Sequence, residues 1–372
     1  MKRAKILLLS SVLNRRGAER MIFQLATGLD RDKYDAKVVC LRKETPFMGE
    51  FIRAGVDIRS LGMRRYFQPG PLLELYRFIK RENIDLIHTH LYRDAIYGRI
   101  LGKLAGVPVV STLHNSYVWR SKAQLLLDGI TALWADKIVA VSNAVRRYAI
   151  KNEHIAPARI TTIYNGIETE KFRIPPGDVL KLKKELGLGH NELVIGSAGE
   201  LTRQKGYRYL LPAASAILKE HPEVRFLIAG DGELKKELES RVKESGISRQ
   251  VSFLGYRADI PCVLNLFDIF VLPSLWEGLP VVLIEAMAAG RPIVATDVDG
   301  NLEVIGEREA GLAVAPRDPQ ALRGALLQLI KNPARREEMG RKGRERAENI
   351  FDVRIMIRKY EELYDLILAS LK

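Results

Sequence analysis

Asp268 to Glu303 reads DIFVLPSLWEGLPVVLIEAMAAGRPIVATDVDGNLE. Ile269 to Leu272 is a short apolar run without polar alternation, as expected of a strand buried on both faces. The strand ends at Pro273-Ser274, and a loop carrying Glu277 and Gly278 follows. The next stretch, Pro280 to Ala289, reads as a helix. Proline suits its first turn, where the missing N–H would have no partner. Pro292 to Ala295 reads as the next strand. The amides beside Pro280, near Gly278, Leu279 and Val281, would lie at the positive end of the helix dipole and form a ready anion site. One carboxylate, Glu277, precedes that site and another, Glu285, follows it.

The same alternation extends in both directions. Upstream in this half, Glu192 to Ala198, Val224 to Ala229 and Val251 to Leu254 read as strands, with helices over Tyr207 to Lys219 and Leu234 to Ser245. The first half repeats the scheme. Strands are expected at Ala4 to Leu9, Ala36 to Leu41, Leu86 to His88, Val107 to Thr112 and Lys137 to Val141. The intervening helices are Ala18 to Leu29, Leu72 to Glu82, Ala95 to Ala105, Lys122 to Ala135 and Asn143 to Lys151. Strand and helix in repeated succession make a doubly wound parallel sheet. The pattern breaks over Phe172 to Asn191, where Pro175-Pro176-Gly177 marks a linker. The fold class is therefore α/β, with two Rossmann-like domains facing a central cleft, 1–172 and 173–351. Ligands of such sheets bind outside the carboxyl ends of the strands. A last helix over Asp352 to Leu371 carries an apolar stripe (Val353, Ile357, Tyr360, Leu363, Tyr364, Ile367) that must pack on something; 352–372 is expected to return to the first domain.

The bulk properties narrow the class. The chain has 372 residues, suited to two domains. No apolar run reaches the roughly 20 residues that span a bilayer. The opening Met1 to Ser10 reads as a first strand, not as a signal peptide. Cys40 and Cys262 stand far apart, which fits a reducing, cytoplasmic setting with no disulfide framework or zinc site. The net charge of +14 is lopsided: 1–172 holds 29 Lys+Arg against 16 Asp+Glu, and 173–372 holds 30 against 29. The first half should therefore attract an anionic partner. Nucleic acid is disfavoured, because there is no aromatic strand platform and no helix-turn-helix signal. Arg64 to Arg81, with Tyr66 and Phe67, and Ser116 to Trp134, with Trp119, mix basic and apolar residues as interfacial helices do; a helix packed on the sheet with a solvated basic edge is the commoner reading.

Glu277 and Glu285, with seven residues between, resemble the E-x7-E signature of the retaining family 4 glycosyltransferases, and EGLP, EAMAAGRPIVAT and Glu303 fit the same pattern. Other segments resemble that family in order. Arg16-Gly17-Ala18-Glu19-Arg20 is similar to its glycine-rich first turn, with Arg16 in place of a glycine. His88-Thr89-His90, the PVVSTLH of Pro108 to His114, Val141-Ser142, Tyr164 to Ile167, the GELTRQKG of Gly199 to Gly206, the IAGDG of Ile228 to Gly232 and Phe253 to Tyr256 follow. The resemblance covers nearly the whole chain.

It implies a metal-independent enzyme that needs no cofactor and moves a sugar from a nucleotide-sugar, with UDP favoured and GDP allowed, to a glycan or lipid-linked acceptor. It also implies roles. Glu285 would hold the ribose, and Glu277 the donor sugar. Lys205, Arg203 and the helix terminus at Gly278-Leu279-Pro280 would neutralise the leaving diphosphate. Tyr256 and Arg257 would adjoin the base, Gly17 would let backbone approach the phosphates, and His114 would line the sugar site. The family's phosphate loop often has arginine where this chain has Glu200, leaving a silent nucleotide-sugar-binding relative open, beside an epimerase or phosphorylase on the same architecture. Asp297-Val298-Asp299 resembles the metal-binding D-x-D of another glycosyltransferase class and reads here as a loop after a strand.

Overall fold

The computed structural model describes residues 3–14, 17–65, 67–115, 121–189, 191–306 and 310–370. Arg16, Tyr66 and Trp119, singled out above, lie outside the described residues. The chain divides into two units. Unit 1 comprises Met1–Gly166 with Val353–Lys372, and unit 2 comprises Ile167–Asp352. The stretch Ile167 to Phe172, grouped with the first half on sequence, belongs to unit 2. There the Thr169 hydroxyl donates to Asp352 at 2.6 Å and Asn265 Nδ2 donates to the Phe172 carbonyl at 2.8 Å.

Unit 1 holds seven parallel strands: β1 (Ala4–Ser10), β2 (Tyr34–Cys40), β3 (Asp57–Ser60), β4 (Leu86–Thr89), β5 (Val109–Leu113), β6 (Lys137–Ala140) and β7 (Ile160–Thr162), in the order β3-β2-β1-β4-β5-β6-β7. Side chains alternate across each strand, and both faces are covered. Ile6 and Leu8 of β1 join one core with Met21, Ile22 and Leu25. Leu7 and Leu9 join another with Leu75, Phe78 and Ile79. That two-sided burial explains the unbroken apolar run at Ile6 to Leu9. The sequence pattern missed β3 and β7. β3 is a four-residue edge strand, DIRS, with charged residues at alternate positions, and β7 is three residues of which two are threonine.

Unit 2 repeats the order with six parallel strands: β8 (Leu193–Ala198), β9 (Val224–Ala229), β10 (Val251–Gly255), β11 (Ile269–Leu272), β12 (Ile293–Thr296) and β13 (Gly311–Val314), arranged β10-β9-β8-β11-β12-β13. β13, the far edge strand, was not expected. Helices Tyr207–Glu220 and Pro319–Ile330 cover one face through Leu210, Ile217, Leu322 and Leu326.

The last helix, Val353–Ala369, packs on unit 1. Met356, Tyr360, Tyr364 and Ile367 are its buried residues, in one core with Ile6, Leu8, Val110 and Val139. A Cβ on Gly28 would lie 2.3 Å from Ile357 Cδ1, so helix Gly17–Gly28 and the last helix approach closely at that glycine. Polar contacts fix the register. The Tyr34 hydroxyl donates to Asp365 at 2.5 Å, and His88 Nδ1 lies 2.6 Å from the Tyr364 hydroxyl.

Tyr364→Ala should therefore destabilise unit 1 by roughly 3–5 kcal/mol, the range for truncating a buried aromatic. Tyr364→Phe, which only strips the partner of His88, should cost about 1–3 kcal/mol. Urea unfolding measures both, and wild-type midpoints for the two variants would remove the anchoring role.

Candidate active site

In unit 2 the winding reverses between the neighbouring strands β8 and β11, the place where open α/β sheets leave a crevice at their carboxyl ends. The loops leaving these strands carry the residues singled out in the sequence. After β8, Arg203–Lys205 forms one 3-10 turn, and Gly206 at φ +66° leads directly into helix Tyr207–Glu220. That φ favours glycine, and a Cβ there would lie 2.0 Å from the Pro273 carbonyl oxygen at the end of β11. The two loops are joined by the Leu275 N–H, which donates to the Gln204 carbonyl at 2.7 Å.

This approach places Lys205 Nζ 2.7 Å from Glu277 Oε1. The Ser274 hydroxyl donates to the same oxygen at 2.7 Å, and Gln204 Nε2 donates to Oε2 at 3.3 Å and to the Trp276 carbonyl at 2.9 Å. The side chains of Lys205 and Glu277 are 15% and 7% exposed. A charge pair so withdrawn from water is stable only when further hydrogen bonds satisfy it, and here the carboxylate accepts from three side chains. Gly300 makes room from the other side, since a Cβ there would stand 2.7 Å from the Glu277 carbonyl oxygen. Ser274, Gln204 and Gly300 are the site residues the sequence reading missed. All three stand inside quoted motifs, but nothing in a motif says which neighbour turns inward.

Helix Val281–Ala288 begins one residue later than expected. Pro280 is its N-cap, in extended conformation (φ −74°, ψ 96°). Glu285 lies in this helix and is 8% exposed, Leu279 is 7% exposed, and Gly278 is buried. Asp299 of the D-x-D stretch opens helix Asp299–Ile305 and does not lie in a loop. Arg203 and Glu200 are exposed. Tyr256 and Arg257 follow β10, whose end is tied to its neighbour β9 by the Gly230 N–H, which donates to the Gly255 carbonyl. The Tyr256 side chain is 59% exposed, and the Arg257 guanidinium is engaged by Asp259 at 2.8 and 2.5 Å.

Unit 1 reverses its winding between β1 and β4. Asp94 braces that point. Its carboxylate accepts from the Ser11 N–H and hydroxyl after β1 (3.1 and 2.5 Å) and from the His90 and Leu91 N–H groups after β4 (2.7 and 2.8 Å). Burial pushes its pKa up to about 6, against the opposing pull of these hydrogen bonds. Gly17 is the first residue of the helix after β1. Beside the brace lie three imidazoles. His88 is locked between Tyr364 and Thr112, at 2.6 and 2.7 Å. His90 lies 4.0 Å from it, ring to ring, and His114 lies 5.8 Å from His90. Both ring nitrogens of His90 and of His114 are buried without a hydrogen-bond partner among the described residues. Burial holds all three imidazoles neutral, with His114 lowered to about 3. Neutral rings with unpartnered nitrogens can each donate one hydrogen bond and accept one.

Two doubly wound parallel sheets in one chain are the architecture of the GT-B glycosyltransferases, and the solved structures that match this fold are of that type. The family profile "Glycosyl transferases group 1" matches 178–346, and "Glycosyltransferase Family 4" matches 15–171. The Escherichia coli UDP-Gal:alpha-D-GlcNAc-diphosphoundecaprenol alpha-1,3-galactosyltransferase is 29% identical over 365 residues, covering 94% of this chain and 93% of that one. The lipopolysaccharide core biosynthesis mannosyltransferase LpsB of Rhizobium meliloti is 31% identical over 296 residues, 77% of this chain and 78% of that one. The crystal structure of HepE of Anabaena in complex with UDP and glucose superposes with a TM-score of 0.89 at 24% identity, over 98% of this chain and 100% of that one. The chain belongs to the family 4 glycosyltransferases.

The buried histidines make unit 1 acid-sensitive. Their pKa values are depressed in the fold, so the unfolded chain binds more protons as pH falls below about 6.5, and stability falls with it. Asp94, with a raised pKa, works in the opposite direction between about pH 4 and 6. Three imidazoles outweigh one carboxyl, so the melting temperature should drop from pH 7 to pH 5, and the drop should be smaller in His114→Leu. An unchanged slope in that variant would show that His114 does not titrate with folding.

Proposed function

We propose that this glycosyltransferase is a retaining, metal-independent enzyme. In this reading it moves a hexosyl group from a UDP-sugar, with a GDP-sugar as the second choice, to a lipid-linked glycan acceptor in the assembly of cell-surface polysaccharide or glycolipid. The observation that carries it is the Lys205–Glu277 pair at the β8/β11 switch point, next to the N-terminus of the helix that holds Glu285. The similarity to a UDP-Gal-dependent enzyme over 94% of the chain supports the donor and the diphosphate-lipid acceptor.

Each group has a chemical task. The Lys205 ammonium has three N–H donors and Glu277 occupies one; the others are available to a donor phosphate. Arg203, Gly278, Leu279 and the opening amides of helix Val281–Ala288 add positive potential where the leaving diphosphate gains charge. This is the work a divalent metal does in other phosphate sites. Glu277 retains acceptor capacity for donor-sugar hydroxyls, and Glu285 accepts from the ribose. Tyr256 and Arg257 present the end of β10 to the base. Within unit 1, the His114 imidazole, neutral and with both ring nitrogens unpartnered among the described residues, is suited to hydrogen-bond a sugar hydroxyl. In the transfer, the anomeric carbon–phosphate oxygen bond breaks as the acceptor oxygen bonds to the same face of that carbon. The acceptor proton passes to the departing phosphate oxygen.

The basic 1–172 stretch would hold the enzyme at an anionic bilayer on its cytoplasmic side. No helix among the described residues is long and apolar enough to cross a membrane. Co-sedimentation with anionic but not neutral vesicles is expected, and indifference to lipid charge would remove this part.

Thermal-shift titration tests the donor. UDP and its sugar conjugates should stabilise the enzyme more than GDP or ADP does. Glu285→Gln should weaken the UDP response and transfer by about 10- to 100-fold, the loss of a charged hydrogen bond. Transfer should survive EDTA, and product NMR should show the donor's anomeric configuration. A full UDP response in Glu285→Gln would overturn the site, and an inverted product would overturn the retaining mechanism.

A further inference from the structure

Unit 1 has an apolar trough of about 420 Å³ among helices Pro69–Arg81, Tyr92–Ala105 and Lys122–Ala132. Leu72, Ile96, Tyr97, Ile100 and Leu127 line it, with Phe67 at one side. Two of these stand largely in solvent: Phe67 is 68% exposed and Leu127 45%. Leu73, Leu126 and Ile130, on the same helices, are also exposed, at 48%, 66% and 48%. An apolar concavity flanked by exposed apolar side chains is the kind of surface that marks an interaction site.

The position of the trough narrows its use. Tyr92, Ile96 and Ile100 recur every fourth residue and so share one helix face, which runs about 12 Å at 1.5 Å per residue. The Tyr92 end belongs to the helix that follows β4 and His90. Its hydroxyl donates to the Gln124 carbonyl at 3.2 Å, in the helix that follows β5 and His114. The trough therefore starts at the edge of the sheet from which His90 and His114 project, and leads away from it. Its charge is one-sided: Arg93 is in the lining, Arg64 and Arg65 are exposed just before Phe67, and among the described residues no lining residue is acidic.

We propose that this trough binds the hydrocarbon chain of the acceptor, with the neighbouring arginines holding the acidic linkage between chain and glycan. The proposal rests on the lipid-linked-acceptor reading above and names the surface that would execute it. A concave channel suits one chain drawn from a bilayer, whereas docking on the bilayer itself needs only protruding apolar side chains. The charge matches a molecule with one anionic group and one long apolar tail. Burial of each methylene strengthens binding, so affinity should rise with chain length.

The test uses the full chain and four probes below their critical micelle concentrations: inorganic, geranyl, farnesyl and geranylgeranyl diphosphate, with affinity read by calorimetry. Geranylgeranyl diphosphate should bind at least tenfold more tightly than inorganic diphosphate. The exposed-residue double variant Phe67→Asp/Leu127→Asp should erase that gain while leaving the melting temperature and the UDP response unchanged. Equal affinity for all four probes would overturn the proposal, as would a chain-length gain that survives the double variant. If the probes bind equally and the variant instead loses anionic-vesicle binding, the surface docks on a bilayer and the chain site is refuted. A chain-length gain lost in the variant, in a protein indifferent to UDP, would uphold the trough and sink the donor assignment separately.

Discussion

A parallel sheet wound outward in both directions from its centre must reverse its connections once. At that reversal, two neighbouring strands send their following loops to opposite faces. Unit 2 reverses between β8 and β11 and unit 1 between β1 and β4. The candidate site residues of each unit are arranged around that constraint. In unit 2 the two loops are drawn together until only a glycine fits at Gly206, within 2.0 Å of the Pro273 carbonyl for a built Cβ. In unit 1 the equivalent loops are joined by a carboxylate, Asp94, which takes hydrogen bonds from both. One device is steric and the other polar. The backbone geometry they secure is the same: the ends of two adjacent strands held in register, with side chains projecting from the notch.

The alternating architecture was legible because both faces of each central strand are buried. Ile6 to Leu9 and Ile269 to Leu272 have no polar face to confuse the period. The strands that escaped notice, β3, β7 and β13, are edge strands, short and partly solvated, so the apolar signal is diluted. The last helix announced an apolar stripe, yet the partner surface was not readable from spacing. The contacts that define it, His88 with Tyr364 and Tyr34 with Asp365, join residues hundreds of positions apart.

The site divides the same way. Glu277, Lys205 and Glu285 stood out because the loop–helix context gives carboxylates and a cation near a helix N-terminus a chemical reason. Ser274, Gln204 and Gly300 did not stand out, although each fixes Glu277, since a hydroxyl, an amide and a missing Cβ carry no signature until the loops are placed. The histidines show the converse. His88 and His90 differ by two residues on one strand and read alike in sequence, yet His88 spends both ring nitrogens on Tyr364 and Thr112 while His90 spends neither.

The Lys205–Glu277 contact changes how the expected roles fit together. Assigned separately, one group would wait for a phosphate and the other for a sugar. Paired at 2.7 Å with little exposure, they are one neutral unit before any donor arrives. An isolated buried ammonium or carboxylate would shed its charge. Here the two are paired with each other, and Ser274 and Gln204 add hydrogen bonds to the carboxylate. In the proposed reading, a donor diphosphate at Lys205 would add negative charge beside a carboxylate that already draws on the same ammonium. In that reading, Arg203 and the helix terminus would supply the counterweight. Preorganisation here lies in the loop junction. Gly206 and the Leu275–Gln204 backbone bond set the lysine and the glutamate in place, so the polar geometry of the pair is fixed by packing of the backbone, as the proposed chemistry would need.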